Sequence, residues 1–390
     1  MTAAPIYLDG FATLPLAPEA RDAMLAAWST PGNAGSANLA GETAAATVAA
    51  GRTAVAALIG AAPSEVVFTS GATEANNLAL IGVARALHDA QPNRRRIVIS
   101  AIEHKSVLES AASLQRAGFE VVLSPVDEAG RLDLVAFGNL MDGSVLLASV
   151  MLVNNETGGI QPVREAAALA HAADVLFHCD AAQAAGKIPV DVADLDVDYL
   201  SLSAHKLYGP MGVGALYISA GAPLPAPLIF GGGQQAGLRP GTEPVALIAG
   251  FGAAARLAES HLASSESYGR AMATALHTGL SQRQLRSRII THGHPVVPGS
   301  LALSLQNVDA DALCSAVAKF VSMSTGSACT SGQLNSSHVL RAMGLADIDA
   351  RSVVRLFCHR YLEYHEIERA VDLIVLAAGR SRLATGEVRQ

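Results

Sequence analysis

The stretches VLFHCDAAQAAGK (residues 175–187) and SLSAHKLYGPMGVGAL (residues 201–216) decide the fold of this chain. Each opens within a predicted strand, residues 175–180 and residues 199–203, and polar residues follow each strand. Asp180 lies at the end of the first strand, and Lys206 follows the second, 26 residues further along the chain. A carboxylate behind a buried strand is costly unless it has a partner, so the pattern predicts a functional site at the strand ends.

Short apolar runs alternate with longer helical stretches on both sides of these motifs. Apolar strands separated by helices predict an α/β fold with a mostly parallel sheet that helices cover on both faces. The ligand of such a sheet binds beyond the carboxyl ends of the strands. Helical spacing predicts helices over residues 74–90 and 163–173. The seven predicted strands are residues 66–70, 96–100, 119–125, 145–151, 175–180, 199–203 and 215–218.

A second, smaller unit is predicted to begin near Phe251. A long helical stretch runs through residues 253–262 and onward, and strands are predicted at residues 300–304 and 352–357. Between these two strands lies a segment rich in Ser and Gly, at residues 322–337. Its composition is typical of a surface loop.

The composition excludes several classes of protein. The chain has 390 residues, 51% of them hydrophobic, and a formal net charge of -7, which favours neither a nucleic-acid surface nor a membrane surface. The N-terminal sequence MTAAPIYLDG has no basic start followed by an apolar stretch, so we expect no signal peptide. Four separated cysteines without a CxxC pair indicate neither a disulfide framework nor a zinc ribbon, and they fit a reducing cytoplasm.

The pairing of Asp180 with Lys206 is the one that pyridoxal phosphate (PLP) needs. The carboxylate would hold the pyridine nitrogen of PLP protonated, which makes the ring an electron sink. The lysine would form a Schiff base with the cofactor and later move protons. A surface lysine is the alternative interpretation of Lys206 taken alone.

The stretch VVFTSGATEANNLAL (residues 66–80) adds a predicted phosphate site. Gly71 permits a tight turn after the strand, and a helix is predicted to open at about Thr73. The backbone N–H groups of Ala72 and Thr73 would then point at an anion, helped by the helix dipole. The alternative is that Thr73 only caps the helix, and the motif by itself leaves both interpretations open.

Two further polar residues follow predicted strands. His104, in SAIEHKSV, has a ring that can stack on a flat cofactor and exchange protons, although a structural histidine is the alternative. Asn155, in MLVNNETGGIQP, has an amide that needs partners, which a cofactor hydroxyl or a substrate carboxylate would supply.

Together these stretches resemble the group I cysteine desulfurases, which are PLP enzymes of fold type I in the class V aminotransferase set. The resemblance spans nearly the whole chain, and SAHKLYGPMGVGAL and GSACTS are its most specific motifs. The matching stretches are YLDGFAT, VVFTSGATEANNLAL, EHKSVLES, VNNETGGIQP, HCDAAQAAGK, SAHKLYGPMGVGALY, GGGQQAGLRPGT and STGSACTSGQLNSSHVLRAMG.

The resemblance implies a role for each residue of a PLP site. Lys206 would be the Schiff-base lysine, Asp180 the partner of the pyridine nitrogen, and Gln183 the ligand of the ring hydroxyl. His104 would stack on the ring and take part in catalysis. Thr242 would reach the phosphate of the neighbouring subunit, which implies a homodimer. The implied phosphate ligands within one chain are Ala72, Thr73, Ser203 and His205.

The resemblance also implies the reaction. Asn155 and Arg355 would hold the carboxylate of L-cysteine, and Cys329 would take its sulfur as a persulfide while L-alanine is released. A structural cysteine prefers an apolar core, whereas Cys329 lies in the Ser/Gly-rich segment. The implied acceptor is a protein: an iron–sulfur scaffold, a tRNA-thiolation relay or a DNA-sulfur-modification complex. The alternatives are a related PLP lyase or transaminase, for instance one that acts on selenocysteine, and a non-catalytic sulfur-transfer scaffold.

Domain bounds and departures from the family pattern complete the expectations. Residues 15–255 should form the large PLP-binding domain, with a seven-stranded sheet. Residues 1–14 and 256–390 should form a smaller α+β domain that carries the cysteine loop at about 322–337. The family pattern differs at Ala34, Asn38, Gln234–Ala236 and Leu356–His359, and we expect these positions near the mouth or the substrate pocket.

Overall fold

A computed structural model describes residues 4–325 and 337–381 of the chain. Within these residues the strands are β1 (Ile6–Tyr7), β2 (Val66–Thr69), β3 (Arg96–Ser100), β4 (Glu120–Ser124), β5 (Val145–Ser149), β6 (Leu176–Asp180), β7 (Tyr199–Ser203), β8 (Gly214–Ile218), β9 (Ser287–Ile289), β10 (Ser300–Leu305), β11 (Val321–Ser322) and β12 (Val353–Phe357). The α-helices are α1 (Pro18–Trp28), α2 (Leu39–Leu58), α3 (Ala72–Asn77), α4 (Val83–Leu87), α5 (Lys105–Arg116), α6 (Leu134–Leu140), α7 (Val163–His171), α8 (Val192–Leu195), α9 (Val245–Gln282), α10 (Ala310–Val317), α11 (His338–Ala342), α12 (Asp347–Ala350) and α13 (Tyr364–Ala378).

The central sheet confirms the predicted α/β fold. Its seven strands follow the order β2-β8-β7-β6-β5-β3-β4. The strands from β7 to β4 pair in parallel, whereas β8 runs antiparallel to both of its neighbours. Every residue of β5, β7 and β8 is buried, because helices cover both faces and the strands carry almost only apolar side chains.

The sheet brings the polar ends of distant motifs to one edge. The strands β3, β5, β6 and β7 run in the same direction, so their carboxyl ends share that edge. The strand β2 also points that way, since it and β7 each pair antiparallel with β8. Gly214 is the first residue of β8, which lies between β2 and β7. A Cβ atom on Gly214 would come within 2.6 Å of the Cα of Gly71. The turn after β2 therefore packs directly against the start of β8.

The predicted helix over residues 74–90 is present with an irregularity. The helix α3 continues through a π-helical segment at Leu78–Gly82 into α4. Segments of this kind interrupt the regular hydrogen-bond ladder and are common near functional sites. The sequence pattern predicts the helix but not this change of winding.

A second apolar core lies outside the large sheet. It is built on the antiparallel sheet β12-β10-β9 and the pair β1-β11, with α13 packed against α9. Ile6 and Leu8 belong to this core together with residues of α9, such as Leu276. The helix α9 is 38 residues long and also packs on α1 and α2, so it runs without a break through residues 255 and 256. The division into two domains at that point stays a prediction.

Candidate active site

Asp180 is the last residue of β6 and is buried at the carboxyl edge of the sheet. Its Oδ1 atom accepts a hydrogen bond from the N–H of Ala182 at 2.9 Å, and its Oδ2 atom accepts one from Nδ2 of Asn76 at 2.7 Å. A carboxylate has about four acceptor positions on its two oxygens. Asp180 therefore keeps acceptor capacity for a further donor.

His104 caps the N-terminus of α5 and is half-buried. Its Nδ1 atom accepts a hydrogen bond from the N–H of Ser106 at 3.1 Å and lies 2.8 Å from the Ser106 Oγ atom. Burial lowers the pKa of His104, Asp180 opposes this shift, and the charges of Lys206 and Lys105 add to it. At neutral pH the ring is uncharged and carries its proton on Nε2, since Nδ1 is an acceptor.

Lys206 lies in a 3-10 turn, Ala204–Lys206, directly after β7. Its Nζ atom donates to the main-chain oxygens of Phe11 and Ala12, and the second of these bonds is 2.8 Å long. Tyr208 follows with a left-handed φ of 66°, which lets the chain turn back sharply after the lysine. The motif YLDGFAT is thereby brought opposite Lys206, although it lies almost 200 residues earlier in the sequence.

Lys187 is a buried residue of this site that sequence reasoning missed. Its Nζ atom donates to the main-chain oxygen of Lys206 at 2.7 Å, and to O and Oε1 of Gln183 at 3.2 and 3.3 Å. Gln183 in turn donates from Nε2 to the oxygen of Phe11 at 2.9 Å, so both ends of its amide are fixed. Burial, and then the charge of Lys206, holds the pKa of Lys187 well below its ordinary value. The available signal was a lysine that ends an otherwise apolar run.

The turn after β2 has the conformation that a phosphate site requires. Gly71 has a φ of 151°, which side-chain-bearing residues rarely adopt, and α3 begins at Ala72, one residue earlier than predicted. The N-cap of α3 is Gly71, which has no side chain to bond the helix, so the alternative that Thr73 caps the helix is wrong. Thr73 is exposed. Buried Ser203 faces the same turn, since its Oγ atom is 3.9 Å from where a Cβ atom of Gly71 would lie.

His205 and Thr242 occupy different surroundings. The Nδ1 atom of His205 lies 3.1 Å from Oγ1 of Thr13. Burial, with the charges of Lys206 and Lys187, lowers the pKa of His205 to about 4, so its ring is neutral at physiological pH. Thr242 is exposed on the loop that follows Arg239, whose Nε atom pairs with Glu74 at 3.0 Å.

Arg355 contacts Asn155 at the main-chain oxygen of Asn155. The Nη1 atom of Arg355 donates to the Asn155 oxygen at 2.9 Å, and Nη2 donates to Asp9 Oδ1 at 2.9 Å and to Ser324 Oγ at 2.7 Å. The Nε atom of Arg355 is buried and has no partner among the described residues. A buried guanidinium N–H without a partner suits an anionic ligand. Asp9 and Ser324, which sequence reasoning did not assign, hold the guanidinium in place.

Cys329 lies outside the described residues, but residues on both sides of its segment contact the site. On one side, Ser324 donates from Oγ to Asp9 at 2.8 Å. On the other side, Ser337 donates from Oγ to the Glu156 carboxylate, and His338 donates from Nε2 to the Glu103 main-chain oxygen at 2.9 Å. Burial raises the pKa of Glu156 to about 7, although the bond from Ser337 and the charges of Arg355 and Lys105 oppose the shift.

The other three cysteines have environments unsuited to a nucleophile. Burial raises the pKa of Cys314 and Cys358 to about 12 each. Burial, with the charges of Asp180 and Glu103, also raises the pKa of the Cys179 thiol well above its ordinary value. Since the thiolate is the reactive form, these thiols are inert at neutral pH.

The departures from the family pattern do not share one location. Asn38 caps α2, accepting from the N–H of Gly41 at 2.9 Å. Gln235 is buried and joins Arg52, at 3.0 Å, to both carboxylate oxygens of Glu243. Its role is therefore to hold the loop after residue 231 against α2. Phe357 does lie at the site, because its ring centroid is 5.0 Å from that of Phe11.

The described residues thus form a mostly parallel sheet with Asp180 and Lys206 at the ends of the adjacent strands β6 and β7. A family model described as "Aminotransferase class-V" matches residues 6–369, and the chain belongs to this family. Within it, the chain groups with the cysteine desulfurases. It is 42% identical over 374 residues to "Cysteine desulfurase IscS" of Anaeromyxobacter sp. (strain Fw109-5), covering 95% of this chain and 92% of that protein.

Solved structures agree with this placement. A structure described as "NIFS-LIKE PROTEIN" superposes with a TM-score of 0.89 at 34% identity, covering 96% of this chain and all of that one. A structure described as "SspA in complex with cysteine" superposes with a TM-score of 0.80 at 32% identity, covering 92% of this chain and all of that one. The predicted family is thereby confirmed.

Proposed function

We propose that this protein is a PLP-dependent cysteine desulfurase, which converts L-cysteine to L-alanine and holds the sulfur as a persulfide on Cys329. The observation that carries the proposal is the pairing of buried Asp180 and Lys206 at the carboxyl ends of the adjacent strands β6 and β7. The names of the relatives support the substrate, because one is a cysteine desulfurase and another was solved in complex with cysteine.

The side chains at the sheet edge fit PLP chemically. Asp180 has acceptor capacity left for a pyridinium N–H, and Gln183 has an amide whose orientation is already fixed. The phosphate would be held by the first N–H groups of α3, at Ala72 and Thr73, with Ser203 and His205. When bound, PLP supplies an electron sink that stabilises negative charge on the α-carbon of an amino acid.

The protein's own groups divide the remaining work. Lys206 would hold the cofactor through Nζ and would take the α-proton of the substrate on the same atom. Asp180 would keep the pyridine nitrogen protonated by a charge-assisted hydrogen bond. His104 would lie against the cofactor and offer its Nε2–H as a donor, because its Nδ1 atom is occupied by Ser106. Arg355 and Asn155 bind the substrate carboxylate, with the buried Nε atom of Arg355 as an available donor.

The sulfur transfer itself falls to Cys329, acting as a thiolate. Its sulfur attacks the sulfur of the bound cysteine, so that an S–S bond forms and the substrate Cβ–S bond breaks. The electron pair of the broken bond stays with the substrate carbon, which takes up a proton to become the methyl group of alanine. The enzyme is left with a persulfide, which a sulfur-acceptor protein then removes.

We also propose that the protein acts as a homodimer in which Thr242 serves the phosphate of the neighbouring subunit. Several large apolar side chains support this proposal, because they are exposed in the single chain: Trp28, Leu39, Met211, Leu224 and Phe230. A groove of about 810 Å³ between α1, α2 and the start of α9 is lined mostly by apolar residues, Trp28 among them. Large apolar side chains that are exposed in a single chain often belong to a protein–protein interface.

The sulfur acceptor is proposed to be a protein. The acceptor belongs to one of three classes: an iron–sulfur scaffold, a tRNA-thiolation relay or a DNA-sulfur-modification complex. The formal net charge of -7 favours a protein acceptor over direct contact with nucleic acid. No helix in the described ranges is long and apolar enough to cross a membrane. We propose a cytoplasmic location.

A product assay tests the function. Purified protein loaded with PLP should convert L-cysteine to L-alanine, and with a thiol reductant present it should release one sulfide per alanine. L-serine, which lacks the sulfur, is the matched control substrate and should give no alanine. A loaded protein that gives no alanine from cysteine would refute the proposed activity.

A further inference from the structure

Asn76 is a buried amide that joins two parts of the site. It is the fifth residue of α3, has no exposed surface and lies next to the π-helical segment. Its Nδ2 atom donates to Asp180 Oδ2 at 2.7 Å and to Ser106 Oγ at 2.8 Å. An ionised carboxylate can only accept, so the amide must present Nδ2 rather than Oδ1 to Asp180.

The hydrogen bonds continue from Ser106 to His104. The Ser106 hydroxyl accepts from Asn76, which leaves its own proton to donate to Nδ1 of His104, 2.8 Å away. The main-chain N–H of Ser106 donates to the same nitrogen at 3.1 Å. One amide therefore sets the donor and acceptor directions of a chain that ends at Asp180 on one side and at His104 on the other.

The surroundings of Asn76 indicate why an amide occupies this position. Asn76 Oδ1 is buried and has no partner among the described residues, so its carbonyl is not what holds the side chain in place. A buried polar atom without a partner destabilises the fold by about 1–3 kcal/mol. An apolar residue of similar size would avoid that penalty, which indicates that the two donated bonds are the reason for an amide here.

We propose that Asn76 is a positioning residue of the cofactor site, which orients the Asp180 carboxylate toward the pyridine nitrogen and, through Ser106, keeps the proton of His104 on Nε2. This inference rests on the proposed PLP function. A hydrogen bond to a carboxylate favours its charged form, and the charged form is the one that holds a protonated ring nitrogen. Asn76 reaches the cofactor only through its two partners.

The test compares Asn76→Leu with wild type and with Asn77→Leu. Asn77 is the matched control, because it lies on the same helix but donates only to the main-chain oxygen of Thr73, at 2.8 Å. Titration of each apo protein with PLP should show a dissociation constant about 10 to 100 times higher for Asn76→Leu, the range expected for a lost bond to a charged group. Asn77→Leu should stay within about threefold of wild type.

A spectroscopic readout separates positioning from a merely structural role. A less firmly protonated pyridine ring withdraws fewer electrons from the nitrogen that joins the cofactor to Lys206. The pH midpoint of the visible absorbance change of the bound cofactor should therefore rise by about half to one unit in Asn76→Leu. A loss of packing alone would lower the melting temperature of the apo protein and leave this midpoint where it is.

Asn76→Asp keeps the test decisive if the leucine variant does not fold. It preserves the shape of the side chain but places a second carboxyl beside Asp180, so the PLP affinity should fall and the midpoint should rise here too. Wild-type values of both quantities in the folded variants would overturn the inference. A wild-type protein that fails to bind PLP would instead overturn the proposed function.

Discussion

Polar side chains at the sheet edge hold one another through bonds between distant parts of the sequence. Asp180 is bound by Asn76, 104 positions earlier, and Arg355 is bound by Asp9, 346 positions earlier. Each bond supplies a partner to a group whose burial would otherwise be costly. The site is therefore largely organised before any ligand arrives. This favours binding, because fewer side chains lose conformational freedom when the ligand binds.

Asp180→Ala tests the strongest electrostatic interaction proposed for the cofactor. Removing the carboxylate removes the partner of the pyridinium, so turnover to alanine should fall by at least about a hundredfold. Alanine formation under saturating PLP and cysteine measures the effect. Asp372→Ala, which breaks only a surface ion pair with Arg283, is the control and should retain wild-type activity. Near-normal turnover in Asp180→Ala would contradict the assigned role.

At this scale the sequence predicts the residues that follow strands but not their partners. Asp180, Lys206 and His104 stand directly after apolar runs, and the structure brings all three to one edge. Asn76 and Lys187 were missed, because each lies within an apolar helical or coil stretch and its importance comes from long-range contacts. Periodicity indicates that a side chain is buried, whereas its bonding partner depends on the tertiary fold.

The turn between β2 and α3 and the cap of α11 determine how elements meet the site. The turn requires Gly71 at a φ of 151°, and the cap requires Ser337, which donates to Glu156 while accepting from the N–H of Leu340 at 3.2 Å. Gly71 thus sets the direction in which α3 leaves the sheet edge, and Ser337 joins the start of α11 to Glu156. We therefore expect a substitution of either residue to lower the free energy of unfolding more than it lowers the catalytic rate.

Gly71→Ala should destabilise the protein through the backbone alone. A φ of 151° with a ψ of 177° lies in a region that is essentially confined to glycine, so the substitution should cost about 1–3 kcal/mol. Urea unfolding of the apo protein measures the loss. Gly143→Ala, where an added Cβ atom would meet nothing within 4 Å, is the control and should be neutral or slightly stabilising. Equal stability of the two variants would contradict the assigned strain.

Glu156→Gln should reveal a pH-dependent contribution to stability. Burial raises the pKa of this carboxyl from 4.5 to about 7, so between these values the folded protein holds a proton that the unfolded chain has lost. The stability of wild type relative to the variant should fall as the pH rises through this window, by about 3 kcal/mol in total, and stay constant above it. Urea unfolding at pH 5, 6, 7 and 8 measures the difference. A difference that does not change with pH would show that Glu156 titrates normally.

Strand and helix positions were predicted well, because periodicity is a local signal. The observed strands β3 (Arg96–Ser100) and β7 (Tyr199–Ser203) match the predicted ranges at both ends. The antiparallel direction of β8 was not predicted, since it depends on how the chain returns after Lys206. The long helix predicted through residues 253–262 and onward is part of the 38-residue helix α9, whose earlier start carries no side-chain cap.

The large sheet, the smaller antiparallel sheet and the exposed apolar surface together decide where the proposed binding groups lie. The large sheet carries Asp180 and Lys206, whereas β12 of the smaller sheet carries Arg355, so the proposed cofactor and substrate groups come from different layers. The apolar groove lies between α1, α2 and the start of α9, on which α1 and α2 both pack, and exposed Trp28 lies on α1. The resemblance to a family implies a dimer, and this surface supplies the physical reason for one.

Trp28→Asp tests the proposed dimer. Trp28 is 63% exposed in the single chain, so a charge there should leave the fold intact and raise the dimer dissociation constant at least about tenfold. Sedimentation velocity across a range of protein concentrations measures the change. Leu123→Asp, an equally radical change at an exposed position on β4, should remain dimeric. A wild-type protein that sediments as a fully active monomer would contradict the proposal.

Cys329→Ser, read out as sulfide release and persulfide mapping, tests the proposed desulfurase activity most directly. The variant should bind PLP with wild-type affinity, because Asp180, Gln183 and Lys206 are unchanged. It should release essentially no sulfide from L-cysteine and carry no persulfide, while Cys358→Ser, which replaces a buried thiol of raised pKa, should keep both. Sulfide release at the wild-type rate from Cys329→Ser, or a persulfide that maps to another cysteine, would contradict the proposed function.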